Sequence, residues 1–255
     1  MAEKITVEIA GGEFSFYPNS HQYKYNGKNV LSVTAVTSLI DKSRQLIKWA
    51  VDLTKGFLTE AVEHGLAVTP ELITEAGEQH KIKKEEASTI GTAVHDWCEK
   101  YIKSRIAGEP KPEMPTDPNI INGITAFLKW VQDNNVVFLQ SEVLVYNPTY
   151  DYGGRMDAIA IVDGVSTAID FKTSKGVYPE AYLQVSAYRE ASLLDIKASL
   201  ILHLDKETGE FEVHEIDNHS DHFKAFLGLL EAKKILKVLD DISYKQWKDK
   251  QDATN

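Results

Sequence analysis

A single cysteine, Cys98, in 255 residues excludes an internal disulfide and a Cys-rich zinc or iron–sulfur site. No apolar run approaches the roughly twenty residues that a membrane-spanning helix needs, so no membrane partner is expected. The opening MAEKITVEIAGGEF has neither a basic stretch nor an apolar one behind it, and Glu3, Glu8 and Glu13 argue against an organellar transit peptide. A phosphate-cradling Gly-x4-Gly-Lys-Ser/Thr loop is missing, and so is any internal repeat or low-complexity tract. These absences point to the cytosol. Positive charge is also short: 28 Lys and Arg stand against 38 Asp and Glu, for a formal net charge of -10. Any path for a polyanion must therefore be a local basic strip, and part of the acidity is expected in a metal site.

With 43% hydrophobic and 26% charged residues, the chain has an ordinary globular composition and enough length for one large domain or a core with an accessory lobe. The segments ITVEI, EFSFY and HQYKY alternate with period two, and Asn26 and Gly27 form a tight-turn signal before KNVLSVTAV. From about Leu46 the apolar spacing turns helical. Thr69 and Pro70 read as the cap and first residue of a further helix, and a long helix is expected over residues 90–106. The proline-rich GEPKPEMPTDP is a linker between helices, followed by a helix over residues 118–133. Then come strands in FLQSEVLVY, RMDAIAIV and VSTAIDFKT, with Gly153 and Gly154, then Asp163 and Gly164, read as hairpin turns. A helix in PEAYLQVSAYREASLL, strands in ASLILHLD and FEVHEI, and a final helix over residues 220–239 complete an α/β order with helices laid on a sheet. Residues 1–85 form the expected N-terminal β/α lobe and 86–255 the core.

The chemistry concentrates in two strands. Asp157 interrupts an apolar strand just after Gly153, Gly154 and Arg155, while Asp170 and Lys172, two apart, share a strand face. The short turn at Asp163 and Gly164 makes these strands neighbours and brings Asp157 near Asp170. Paired carboxylates repel unless a cation lies between them, and hard divalent ions suit such an oxygen cluster. An isolated Asp-x-Lys is more often a surface ion pair. Three further features accompany it: His95 one helical turn after Gly91, Glu142 inside an apolar strand, and Gln184 with Tyr188 four apart on one helix face.

In order, GTAVH, SEV, GGRMD, DFK and QVSAY resemble the RecB-like branch of the PD-(D/E)XK nucleases, the branch that includes phage-type exonucleases. The resemblance spans residues 91–188 and is weak over the first eighty-five. It implies a restriction-endonuclease-like core: a mixed β-sheet flanked by helices, with the N-terminal hairpin and helical lobe guiding DNA. It further implies that His95, Asp157, Asp170 and the main-chain carbonyl of Phe171 hold one or two Mg²⁺ or Mn²⁺ ions. Lys172 would be the catalytic lysine, Glu142 an additional acid, and Gln184 and Tyr188 the supporting helix pair. The implied setting is the cytoplasm of a bacterial or phage-infected cell. Met156 stands where the motif's proline would be, the cluster-binding cysteines are missing, and ATP-coupled degradation would need a separate helicase or recombination partner.

The substrate expected on this resemblance is DNA, as single strands or duplex ends, cut by an exonuclease. A structure-specific endonuclease shares the same catalytic residues, and a non-catalytic DNA-binding module is the reading from another class. Phosphate contacts are expected from Lys81, Lys83 and Lys84 ahead of the His95 helix, and from Lys175 and Arg189 nearer the centre. Lys42, Arg44, Lys48 and Trp49 make a basic and aromatic patch suited to a stacked base, and His21, Tyr23 and Tyr25 are candidates for the same wall.

Overall fold

The computed structural model describes residues 4–252. It opens with an antiparallel meander of β1 (Ile5–Ile9), β2 (Gly12–Tyr17), β3 (Gln22–Tyr25) and β4 (Lys28–Ser32). Asn26 and Gly27 turn with φ of 47° and 79°, as the two-residue hairpin signal required. VTAV does not extend β4. It forms a short helix, α1 (Val33–Thr37), because the Ser32 side chain accepts a hydrogen bond from Ala35 N at 3.0 Å and caps it.

Helix α2 (Ser43–Glu63) precedes α3 (Pro70–Ala107), which is one continuous helix of 38 residues rather than the shorter one expected from residue 90. Thr69 Oγ1 caps it through Leu72 N at 3.3 Å, and Gly108 closes it with φ of 71°. The expected lobe boundary at residues 85 and 86 thus lies inside α3, so both parts share a helix. α2 and the first half of α3 pair as a hairpin with Ala61 and Ala76 buried between them, leaving Leu46, Ile47, Val51 and Ile73 exposed. The linker over residues 108–117 is pinned by Trp97 Nε1, which donates to Glu113 O at 2.9 Å. Asp117 then caps α4 (Pro118–Asp133) by accepting from Asn119 N and Ile120 N.

Three long antiparallel strands follow: β5 (Val136–Asn147), β6 (Tyr152–Val162) and β7 (Val165–Lys172). Gly153 and Gly154 are not turn residues, as the sequence suggests, but lie inside β6. There a Cβ on Gly153 would come 2.3 Å from Phe14, and one on Gly154 2.6 Å from the Tyr188 ring. Helix α5 (Pro179–Ala191) crosses over to β8 (Ala198–Leu204), which runs parallel to β7. β9 (Phe211–Glu215) and α6 (His219–Asp252), longer than the expected 220–239, complete the chain. Among the described residues one nine-stranded mixed sheet runs β1-β2-β3-β4-β6-β7-β8-β9, with β5 on β6.

The expected architecture is present: a mixed sheet flanked by helices. Met156, Ile159 and Ala168 pack with α1, α5 and α6 through Val36, Val185 and Phe226. Ala158, Ile169 and Phe171 pack with α3 and α4 through Val94, Phe127 and Trp130. Cys98 is fully buried in that second cluster, and burial pushes its thiol well up. Among the described residues no helix is long and apolar enough to cross a membrane.

Candidate active site

The edges of β6 decide where chemistry can occur. β5 covers one edge along its whole length. β4 and β7 therefore share the other, β4 in parallel at Tyr152 and Gly153 and β7 over residues 158–162. Residues 154–157 face no strand there, so polar groups can enter the gap. Asp157 uses it directly: its Oδ2 accepts from Phe171 N at 2.7 Å, replacing a ladder partner.

Register then aligns the acids. Ser141 pairs Ala158 and Val143 pairs Met156, which sets Glu142 opposite Asp157. On the other side the ladder ends at Ala158 and Ile169, and the next residues on the two strands are Asp157 and Asp170, with Asp157 turned to Phe171 N. Three carboxylates therefore lie in one rank across three strands, with Arg155 and Lys172 two residues along. Arg155 Nε is 2.5 Å from Glu142 Oε2, and Lys172 Nζ is 2.6 Å from Asp170 Oδ2. Lys172 is thus the group that meets this buried oxygen. Gln184 on α5 ties the group together: its amide donates to Asp170 Oδ1 at 3.0 Å and to Tyr188 Oη at 3.1 Å. Its carbonyl accepts from Lys172 at 3.4 Å.

Burial raises two carboxyls here, Asp170 and Glu142. Asp170 is pushed up to about 6 by burial, with Asp157 adding and Lys172 opposing. Glu142 is pushed up to about 8 by burial and then Asp157, despite Arg155. Burial pulls the Lys172 ammonium down, but Asp170 and Asp157 outweigh it and hold the group above the ordinary lysine range. The lysine is thus charged, while Asp170 and Glu142 resist being so.

Helix α3 supplies one wall of the cleft above this floor. Gly91 brings it close, since a Cβ there would meet Thr173 Oγ1 at 2.8 Å. One turn on, His95 Nδ1 lies 3.9 Å from Asp157 Oδ2, with its ring edge-on to Phe171 at 6.0 Å. The meander supplies the opposite wall with Phe16, His21 and Tyr23. The cleft encloses about 610 Å³ and joins His95, Glu142, Asp157, Asp170 and Lys172 in one space.

No family model and no curated protein matches the chain. Solved structures do. The alkaline exonuclease LHK-Exo of Laribacter hongkongensis is similar at 15% identity and a TM-score of 0.33, over 63% of this chain and 93% of that one. Its complex with dAMP gives 14% identity and a TM-score of 0.38, over 61% and 85%. A structure named SSO0001 gives 18% and 0.32, over 57% and 74%. These likenesses are distant.

The donor set suits a hard divalent ion in kind: carboxylate oxygens of Asp157, Asp170 and Glu142 and one imidazole nitrogen, His95, around one cleft. It is not drawn into a cage. Among the described residues no three His, Cys, Asp or Glu side chains converge as metal ligands. The reason is local, since Phe171 N–H occupies Asp157 and the Lys172 ammonium occupies Asp170.

The remaining expected contacts divide. Lys175 is exposed just beyond the end of β7. Lys81 and Lys83 are exposed on α3 and paired with Glu78 and Glu86, and Lys84 is exposed beside them; none of the three lines the cleft. Arg189 does not reach the cleft either, because its Nε is spent on Ile196 O at 3.1 Å. Lys42 pairs with Glu180 and Lys48 with Asp52, while Trp49 is half-buried. Two cleft cations escape the sequence reading. Arg155 was hidden in the GGRMD string as a spacer, although a base two residues before a strand acid must share its face. Lys206 sits in a turn far along the chain, where no spacing points to it.

Proposed function

We propose that the chain is a divalent-metal-dependent deoxyribonuclease that hydrolyses phosphodiester bonds, acting as an exonuclease on single strands or duplex ends. One observation carries the reading: Glu142, Asp157 and Asp170 form a rank across neighbouring strands, flanked by His95 and Lys172, on the floor of a single cleft.

His95, Asp157, Asp170 and the Phe171 carbonyl would hold Mg²⁺ or Mn²⁺, with Glu142 within reach of a second ion. Such an ion supplies Lewis acidity at the phosphate and a water nucleophile at neutral pH. The chain's own groups do the rest. Lys172, kept charged, stabilises negative charge developing on the phosphoryl oxygens. Gln184 fixes both Lys172 and Asp170, and Tyr188, buried against Gly154, fixes Gln184. Attack of water forms a new P–O bond, the bond to the 3′ oxygen breaks, and that oxygen leaves as an alcohol.

Asp170→Ala and Lys172→Ala should each lower Mg²⁺- or Mn²⁺-dependent cleavage of end-labelled DNA at least 100-fold, with far-UV circular dichroism unchanged. Undiminished cleavage in both variants ends the assignment. A thermal shift on titrating Mn²⁺, lost in Asp170→Ala, reads the ion directly. A linear single strand degraded beside a spared closed circle separates the exonuclease from an endonuclease.

A further inference from the structure

Three cations line the cleft, and two are already matched: Arg155 with Glu142 and Lys172 with Asp170. Lys206 is the third. Among the described residues it has no carboxylate partner, yet it is half-buried. An ammonium drawn partly out of water with no ion pair of its own gains from an anion that arrives to meet it.

The backbone that presents Lys206 is fixed. In the turn between β8 and β9, Asp205 Oδ1 accepts from Glu207 N at 2.7 Å and Thr208 N at 3.2 Å. Asn122 on α4 donates to the carbonyls of Lys206 and Glu207 at 3.2 and 2.9 Å. The side chain then spans to α3, where Nζ donates to Ala87 O at 3.1 Å. That uses one of three ammonium protons and leaves two for a ligand. Burial pulls the ammonium below its ordinary range; Glu207 opposes this and the nearby Lys175 adds to it. Two like charges have been brought near each other at a cleft end that also carries Thr173 and Ser174.

Resting on the nuclease reading above, we propose that Lys206, assisted by Lys175, is a phosphate subsite holding the substrate strand beside the bond that is cut. The distance fits a flanking phosphate and not the scissile one. Ala87 and His95 are eight residues apart on α3, about 12 Å along the helix at 1.5 Å per residue. The ammonium acts as a point charge on backbone phosphate, so the subsite favours no base.

The full chain is titrated with a fluorescent single-stranded oligonucleotide, with Ca²⁺ in place of Mg²⁺, across a KCl series. Lys206→Ala should weaken binding several-fold at low salt and reduce the log–log salt slope by about 0.7, with Lys206→Arg restoring both. In Mg²⁺, single methylphosphonate linkages walked along the strand should include one, away from the cut, that raises KM for the wild type and leaves Lys206→Ala unaffected. A lysine that merely tethers the turn to α3 would lower the melting temperature while leaving slope and methylphosphonate profile as in the wild type, and that result overturns the subsite alone. A wild type that neither binds nor cuts any oligonucleotide overturns the nuclease reading along with it.

Discussion

Glu142 occupies the left-handed region at φ of 53°, unusual for a non-glycine residue within a strand and confined to a position opposite Asp157. The twist re-aims its carboxylate toward Arg155 and into the cleft. The carboxyl, pushed up to about 8, binds its proton more tightly in the folded chain than in the unfolded one. Between its ordinary value near 4.5 and about 8 the folded state therefore holds more protons, and stability falls as pH rises through that window. In EDTA, unfolding free energy measured in urea from pH 5 to 8 should decline for the wild type and decline less in Glu142→Gln, which keeps only the part below about pH 6 that Asp170 contributes, with at least about 1 kcal/mol separating the two trends at pH 8. Parallel trends in the two proteins would mean that this carboxyl is not the source. Sequence singled out this acid and the other motif positions through their resemblance to a family pattern; periodicity alone paired only Asp170 with Lys172 and Gln184 with Tyr188, and the fold brings all of them to one cleft. Sequence could not reveal the backbone twist at Glu142, since nothing in SEV distinguishes a left-handed residue from an extended one.

Among elements, the seam between α3 and α4 tolerates no added atom. A Cβ on Gly123 would lie 2.7 Å from Val94 Cγ2, and Val94 is fully buried. Gly123→Ala should destabilise by about 1–3 kcal/mol in urea denaturation, although alanine is the better helix former. Unaltered stability would mean that α4 can slide away from α3. Most elements were legible where punctuation was strong: Thr69 with Pro70, Asp117 with Pro118, Asn26 with Gly27. The failures have different causes. Ser32 captured VTAV into a helix through a local cap that the alternating strand pattern masked. Gly153 and Gly154 were needed for close packing on Phe14 and Tyr188, which are distant in sequence.

For the molecule as a whole, the continuous sheet and α3 join the meander wall to the floor of the cleft, while the α2–α3 hairpin stays largely in solvent. Limited proteolysis should therefore nick residues 64–69 before the proline-rich residues 108–117, which Trp97 holds. Mass spectrometry of early fragments checks the order, and first cleavage in the linker would contradict it. Net charge says little at this scale, because charge counts ignore position: the cleft sets Arg155, Lys172 and Lys206 among Asp96, Glu99, Glu142, Asp157 and Asp170. The buried Cys98 has a practical consequence. With the native thiol shielded and its deprotonation disfavoured, a second cysteine introduced at the hairpin tip would take a maleimide dye selectively, and a probe could follow substrate arrival without any background substitution.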